Sequence, residues 1–167
     1  MIALPMDGAD ILAAAERVLS TLAATPPLIA RIVDGYDRGQ LHQTPAPNVW
    51  SVRDIVAHLR ACAVVWGRSM ERMIGEDHPT IRYVSPRGWI KRSDFLSQDF
   101  EILLAAFTAE RTALLEALRP LDAPGWRRGA AFTGTSLGKQ ATVLSYAQRM
   151  ADHEVGHIEQ LRRTLLG

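Results

Sequence analysis

Three histidines in this chain have the spacing of a metal-binding set. His153 and His157 are four residues apart, so on an α-helix they differ by about 40° around the axis and by about 6 Å along it. Both imidazoles can therefore reach one ion. His58 belongs to a separate amphipathic segment and would complete a set of three nitrogen ligands. Three protein ligands leave one position open for water or substrate, as in catalytic metal sites.

Spacing alone leaves two interpretations of these histidines open. A histidine on an apolar helix face is commonly a core residue whose nitrogens are satisfied by hydrogen bonds, and two histidines four residues apart form a short pattern. Burying three imidazoles separately, however, costs desolvation at each ring, whereas one divalent ion satisfies a nitrogen on all three. His42 and His78 fall in loop regions, and we expect them to be ordinary surface histidines.

Glu154 and Arg149, both near the histidine pair, are candidates for catalysis. Glu154 is placed about 60° from His157 around a helix, where a carboxylate can accept a proton or orient a ligand ring. A solvated acidic helix edge is the alternative for this residue. Arg149 lies one turn before the pair and Gln160 follows it, so both can line a pocket for an anionic or amide substrate.

The chain contains one cysteine, Cys62, which cannot form an internal disulfide. It lies one turn beyond His58, where a small buried thiol is favoured over a fourth metal ligand. The N-terminal sequence lacks the basic and long apolar regions of a secretion signal. We therefore expect a cytoplasmic protein.

The elements that must position these residues are four long helices. Apolar residues recur with helical periodicity over residues 10–24, 51–75, 94–118 and 142–165. The second helix should begin at a capping box formed by Ser51 and Asp54 and end at Gly75. Pro26 and Pro27 should stop the first helix, with a short helical piece restarting at residues 27–34. His58 then lies within one apolar stripe and the histidine pair within another.

Arg111 lies close to the buried side of the third predicted helix. A charged residue in that place either has a buried partner or extends past the edge of the helix to solvent. The second arrangement is favoured, because a long aliphatic stem can pack while its charged end stays in water.

Two long connections join these helices, over residues 76–93 and 120–141. Both exceed the usual length of connections in a bundle, and loops of that length are commonly functional. Each contains aromatic and basic residues, so both can cover one end of a pocket. No alternation long enough for a convincing strand is present, and the predicted architecture is an all-α four-helix bundle.

The composition limits the classes of function. The chain of 167 residues has the size of one domain, spanning residues 1–167, and its 47% hydrophobic content is that of a globular protein. Its 19 basic and 18 acidic residues give a net charge of +1, which argues against a protein that binds nucleic acid through many phosphates. No apolar run approaches the roughly 20 residues that a membrane span needs. We expect a small-molecule substrate and neither nucleic acid nor membrane.

Three segments resemble a known family. They are WSVRDIVAHL at residues 50–59, TVLS at 142–145 and DHEVGHIEQL at 152–161. Together they look like the DinB-like (DinB/YfiT) superfamily of metal-dependent enzymes, with the histidine eight residues after the tryptophan and the late histidine pair in order. The resemblance implies a four-helix bundle that holds a divalent metal, commonly zinc or nickel, through His58, His153 and His157. Neutral imidazoles suit such transition metals better than calcium or magnesium.

The resemblance also implies several activities. Better-defined branches of the family transfer or isomerise substrates with a low-molecular-weight thiol of the mycothiol or bacillithiol type, and other relatives are described as metal-dependent hydrolases. We expect a metal-dependent thiol S-transferase or isomerase, in which the open metal position activates the thiol. A hydrolase with a metal-activated water is the first alternative. A non-catalytic, metal-stabilised dimeric binding module is the second, and a homodimer fits all three.

Overall fold

The computed structural model describes residues 6–135 and 140–166. Within these ranges the chain forms seven α-helices and three short strands. In chain order the elements are α1 (Gly8–Ile32), α2 (Arg38–His42), α3 (Val52–Gly75), β1 (Thr80–Arg82), α4 (Pro86–Ile90), α5 (Phe100–Leu118), α6 (Ala123–Arg127), β2 (Gly129–Thr133), β3 (Gln140–Thr142) and α7 (Val143–Leu166). None of the helices in the described ranges combines the length and apolar content that a bilayer crossing requires.

The four long helices α1, α3, α5 and α7 form the bundle. α3 packs against α5 on one side and α7 on the other, and α1 packs against the same two helices, so α1 and α3 lie diagonally opposite. α3 and α7 run antiparallel, since His58 lies beside His157, while Trp66, further along α3, lies beside Tyr146 near the start of α7. The predicted four-helix bundle is confirmed.

The start of α3 is fixed by the predicted capping box. The hydroxyl of Ser51 accepts a hydrogen bond of 3.1 Å from the backbone N–H of Asp54, and the Asp54 carboxylate accepts one of 3.1 Å from the N–H of Ser51. Ser51 is fully buried, so these reciprocal bonds satisfy amides that water cannot reach. α3 therefore begins at Val52 and ends at Gly75, as the sequence predicts.

The first helix does not stop at its two prolines, so the predicted break is wrong. α1 continues through Pro26 and Pro27 to Ile32. Each proline lacks a backbone N–H and removes one helical hydrogen bond. Leu22 and Ile29 lie on either side of the prolines and are fully buried, so tertiary packing keeps both halves in one helix.

The third long helix begins later than the sequence indicates. Residues Phe95–Ser97 form a 3-10 turn, and α5 starts at Phe100. The Asp99 side chain does not cap this helix. Nε2 of His42 instead accepts a hydrogen bond of 3.4 Å from the backbone N–H of Phe100, which gives this histidine a structural role.

The two long connections meet in a small sheet, so the expectation of no strand is wrong. β1 from the first connection pairs in parallel with β2 from the second, and β2 pairs antiparallel with β3. A Cβ on Gly129 would lie 2.6 Å from the Ala141 carbonyl oxygen, so only glycine permits the close pairing there. Ile81 and Phe132 of this sheet pack into the core beside the end of α3. Residues 136–139 of the second connection lie outside the described residues.

The buried apolar residues fall into two clusters within the bundle. One contains Cys62, Trp66 and Met150, and the other contains Leu59 and Ile158. They meet near residues 58–62 of α3 and 151–158 of α7. The three predicted histidines lie at this junction, between the two apolar clusters.

Candidate metal centre

The antiparallel packing of α3 and α7 brings the three predicted histidines together. Nε2 of His153 lies 3.0 Å from Nε2 of His58 and 3.1 Å from Nε2 of His157. The rings meet edge to face, with centroids 4.4–5.2 Å apart. Nε2 of His153 is therefore close to the same nitrogen of both other rings.

Gln160 fixes the orientation of one of these rings. Nδ1 of His157 donates a hydrogen bond of 2.7 Å to Oε1 of Gln160, because an amide oxygen can only accept. The Nε2 atom of the neutral ring then carries a lone pair. Such a bond to the far nitrogen is the usual means by which proteins orient a metal-ligating histidine.

The hydrogens available to the three rings do not account for their close approach. Nε2 of His153 offers one hydrogen or one lone pair to two neighbours, so at most one of its two contacts is a well-directed hydrogen bond. Because Nε2 of His157 carries a lone pair, it can only accept a hydrogen bond. The single hydrogen that Nε2 of His153 can carry would have to go to it, which leaves none for the contact with His58. A cation among the three nitrogens would accept a lone pair from each, and the donor set therefore fits a metal ion.

The separations also fit a shared ion. Two imidazole nitrogens bound to one tetrahedral zinc ion lie about 3.4 Å apart, and an imidazole nitrogen and a thiolate sulfur lie about 3.5 Å apart. The observed nitrogen separations of 3.0 and 3.1 Å are slightly shorter. Binding of an ion would therefore need each of these nitrogen pairs to move apart by about 0.3–0.4 Å.

Cys62 adds a fourth donor beneath the histidines. Its Sγ lies 3.5 Å from Nε2 of both His58 and His153, and the three donor atoms all lie within 4.8 Å of one another. Two sets therefore share the pair His58 and His153. The outer set is completed by His157, which is half-buried, and the inner set by Cys62, which is fully buried.

Burial keeps all three imidazoles neutral at physiological pH. Desolvation, with smaller effects of His157, His153 and Arg87, lowers the pKa of His58 from 6.5 to about 3. Desolvation, with His157, Arg149 and Arg87, lowers the pKa of His153 to about 4. The pKa of His157 is also lowered, mainly by burial. Neutral imidazole is the form that binds metal, so no proton needs to be displaced.

Two tryptophans flank the histidines, and the surface formed by Trp50, His58, His157, His153 and Trp66 is called the histidine groove. The Trp50 ring lies 5.0 Å from the ring of His58 and stacks at 6.1 Å on that of His157. Trp66 lies 5.1 Å from the ring of His153 on the other side. The rings of Trp50 and Trp66 are apolar surfaces. Electrostatic interactions are stronger in such a low-dielectric environment than in water.

The predicted catalytic residue Glu154 lies in the core beside these ligands. It is fully buried, and its carboxylate forms an ion pair with Arg111 of α5, which is 2% exposed. Arg111 thus has a buried partner, and the expectation that it extends to solvent is wrong. Burial raises the pKa of Glu154, although Arg111 and Thr25 oppose the shift. Because this carboxylate is paired with Arg111 of another helix, the structure supports a structural role for it.

The other predicted site residue, Arg149, lies at the rim of the groove. Its guanidinium carbon is 5.1 Å from the ring of Trp66 and 6.0 Å from that of Tyr146. It is half-buried and contributes to lowering the pKa of His153. Arg149 therefore lies one ring away from His153, and its role in binding substrate stays a prediction.

Comparisons with known proteins identify the family. Residues 21–161 match the DinB superfamily, which is most of the chain. The chain belongs to the DinB superfamily. No match was found among curated proteins.

A solved structure of the superfamily shares this fold. YfiT from Bacillus subtilis, described as a probable metal-dependent hydrolase with an unusual four-helix bundle topology, superimposes with a TM-score of 0.80. The alignment covers 98% of this chain and 90% of YfiT, at 18% sequence identity. At that identity the likeness establishes the fold, and the fold places α3 and α7 side by side.

The sequence interpretation of this DinB-superfamily chain placed Cys62 one turn from His58 as a buried thiol, but it did not single out Arg87 as a contributor to the site. Cys62 follows His58 by four residues, the same interval that separates the histidine pair. The sequence therefore predicts its position beside the histidines. Arg87 lies on the short helix α4 with its guanidinium carbon 5.7 Å from the ring of Trp50. The sequence offers Arg87 only as one of several basic residues in the first long connection, because its place is set by how that connection folds back.

Proposed function

We propose that this protein binds one divalent transition metal ion through His58, His153 and His157 and uses it to activate a nucleophile. The observation that carries the proposal is that Nε2 of His58 and Nε2 of His157 lie 3.0 and 3.1 Å from the same atom, Nε2 of His153. Hydrogen bonding alone does not explain that convergence. An all-nitrogen donor set favours zinc, nickel, copper or iron, and the family resemblance favours zinc or nickel among them.

The outer set of ligands supports a catalytic ion. His153 and His157 are half-buried, so an ion held by the three histidines has a face towards the groove that the protein leaves free. Three protein ligands with one open position are typical of catalytic sites. The ion would lower the pKa of a thiol or water molecule that reaches this position.

Thiol transfer is the activity we place first. Glu154 is engaged with Arg111, and Asp152 accepts a hydrogen bond of 2.8 Å from Gln148 on the exposed side of α7. Neither carboxylate is therefore placed as a free base. A thiol whose pKa a bound ion had lowered would need no such base, because its proton would be released to solvent. Its sulfur would then bond to an electrophilic carbon, and the leaving group would depart with the electrons of the broken bond.

Hydrolysis is the second candidate, supported by the fold of YfiT and its description as a probable metal-dependent hydrolase. A structural role of the metal is the third, and it is supported by Cys62. An ion held by the inner set would be enclosed by His58, Cys62 and His153, and cysteine with histidine is a common donor set of structural zinc. The three candidates differ in which donors bind and in whether turnover follows.

A single panel distinguishes these candidates. Zinc-loaded and nickel-loaded protein would be incubated with low-molecular-weight thiols and a bromomethyl electrophile that fluoresces on thiol addition, and separately with nitrophenyl esters. His153→Ala, which removes the shared ligand, is the matched control. We expect thiol-dependent product formation that His153→Ala lacks. Ester cleavage without thiol turnover would show that the protein is a hydrolase and not a thiol transferase. No turnover in either assay would contradict a catalytic ion.

A further inference from the structure

One end of the histidine groove has a guanidinium held over an aromatic ring. Arg87 lies over Trp50, whose ring is 5.0 Å from that of His58. Arg87 and Trp50 also line a pocket of about 290 Å³ together with Ile90 and Lys91. Asp54 borders the same pocket, but its carboxylate is held by the N–H of Ser51 and by Arg53.

The other end of the groove repeats this arrangement. Arg149 lies over Trp66, whose ring is 5.1 Å from that of His153. A second pocket, of about 140 Å³, is lined by Arg149 with Tyr83 and Tyr146. Each end thus combines a cation, an aromatic wall and a space large enough for a substituent of several atoms.

Within the described ranges neither guanidinium forms an ion pair with a carboxylate. Among the described residues, the arginines that pair with a carboxylate are Arg38, Arg53, Arg60, Arg72, Arg111 and Arg162. Arg87 and Arg149 instead lie on aromatic faces, which hold the flat guanidinium while leaving its N–H donors available. Arg87 contacts the ring of Trp50, which neighbours His58, and Arg149 contacts the ring of Trp66, which neighbours His153. Each charge therefore lies one aromatic ring away from a proposed metal ligand.

We infer that the molecule that reaches this centre carries two carboxylates, one bound by Arg87 and the other by Arg149, with its reacting atom between them. Arginine binds a carboxylate through two parallel hydrogen bonds, which fixes orientation as well as position. Two such anchors on opposite sides of the histidines would place the middle of a dianion at the free face of the ion. The inference names the substrate class of the proposed metal centre and rests on that centre.

The test uses a thiol with a carboxylate at each end. Cobalt(II)-loaded protein would be titrated with glutathione, its monoethyl ester and its diethyl ester, and the rise of the sulfur-to-cobalt absorption band would give each dissociation constant. The three probes share one thiol and one amine and differ only in free carboxylates. We expect affinity to fall by about tenfold for each carboxylate that is esterified. Equal affinities for glutathione and its diester would overturn the inference while leaving the metal centre intact.

Variants assign the two carboxylates to the two arginines. Arg87→Gln and Arg149→Gln should each weaken glutathione binding by about tenfold and leave diester binding unchanged. Arg31→Gln, on the exposed end of α1, removes the same charge away from the groove and should bind all three thiols like the native protein. If Arg31→Gln weakens glutathione as much as the other two variants, net charge rather than specific recognition explains the preference. Failure of the native protein to bind cobalt would instead contradict the metal centre itself.

Discussion

The side chain of Gln160 accepts a hydrogen bond of 2.7 Å from Nδ1 of His157. This bond places the hydrogen of the ring on the far nitrogen and leaves the lone pair of Nε2 directed at His153. The family resemblance and the helical spacing predict His157 as a metal ligand. The bond to Gln160 supplies the orientation that such a ligand needs.

Replacing Gln160 should weaken metal binding without removing a ligand. In Gln160→Leu the His157 ring loses its acceptor, and we expect zinc affinity to fall by about ten- to a hundredfold. Competition with a chromogenic zinc chelator measures this change. Gln148→Leu, on the exposed face of the same helix, should keep the native affinity. Unchanged zinc affinity in Gln160→Leu would show that the bond does not orient a ligand.

The ion pair between Arg111 and Glu154 should dominate the response of the core to mutation. Glu154→Gln leaves a buried guanidinium without its counter-charge, and we expect the free energy of unfolding to fall by about 3–5 kcal/mol. Replacing both partners, Arg111→Met with Glu154→Leu, should restore much of that loss because no buried charge remains. Urea denaturation of the metal-loaded proteins gives both values. A loss below about 1 kcal/mol in Glu154→Gln would mean that the pair behaves like an exposed one.

Cys62 distinguishes the outer set of ligands from the inner one. If the ion is held by the three histidines, Cys62→Ala should bind one cobalt(II) per chain with the visible spectrum of the native protein. Neither protein should show a thiolate-to-cobalt absorption band before a thiol is added. Such a band in native protein, lost in Cys62→Ala, would place the ion in the inner set and favour a structural metal.

The metal-free protein should lose stability as the pH falls below about 6.5. In the folded chain the pKa is about 3 for His58 and about 4 for His153, against 6.5 for either residue when exposed. The unfolded chain therefore binds more protons throughout that interval, and acid favours unfolding. The raised pKa of Glu154 favours the folded chain as the pH falls. A variant that removes one histidine is therefore needed to separate the two effects.

His58→Asn provides that comparison in the presence of a chelator. Between about pH 6 and 4 the native protein should lose about 1.4 kcal/mol more unfolding free energy per pH unit than this variant, because it has one more buried histidine to protonate. Denaturant unfolding at several pH values measures both slopes. Parallel slopes would show that His58 is not held neutral by the fold.

The features that the sequence predicted are those that depend on local pattern. The capping box of Ser51 and Asp54 joins residues three apart, and the position of His58 within an apolar stripe follows from helical periodicity. The histidine pair shares one face of α7 for the same reason. These local rules suffice to bring the donor atoms to adjacent helices once the bundle forms.

The features that the sequence missed depend on contacts between distant segments. α1 continues through Pro26 because residues on both sides of it are buried by other helices. β1 and β2 are too short to show alternation, and their pairing joins two separate connections. Arg111 finds Glu154 only when α5 and α7 pack, so its own segment indicates a charge near an apolar face and nothing about the partner.

Metal analysis of protein purified without a histidine tag tests the central claim most directly. We predict one zinc or nickel ion per chain, by elemental analysis, in native protein or after addition of either metal and removal of the excess. His58→Ala and His157→Ala should each lose the ion, whereas His78→Ala, an exposed histidine beside Asp77, should retain it. Absence of a stoichiometric ion in native protein under all these conditions would contradict the assignment of His58, His153 and His157 as metal ligands.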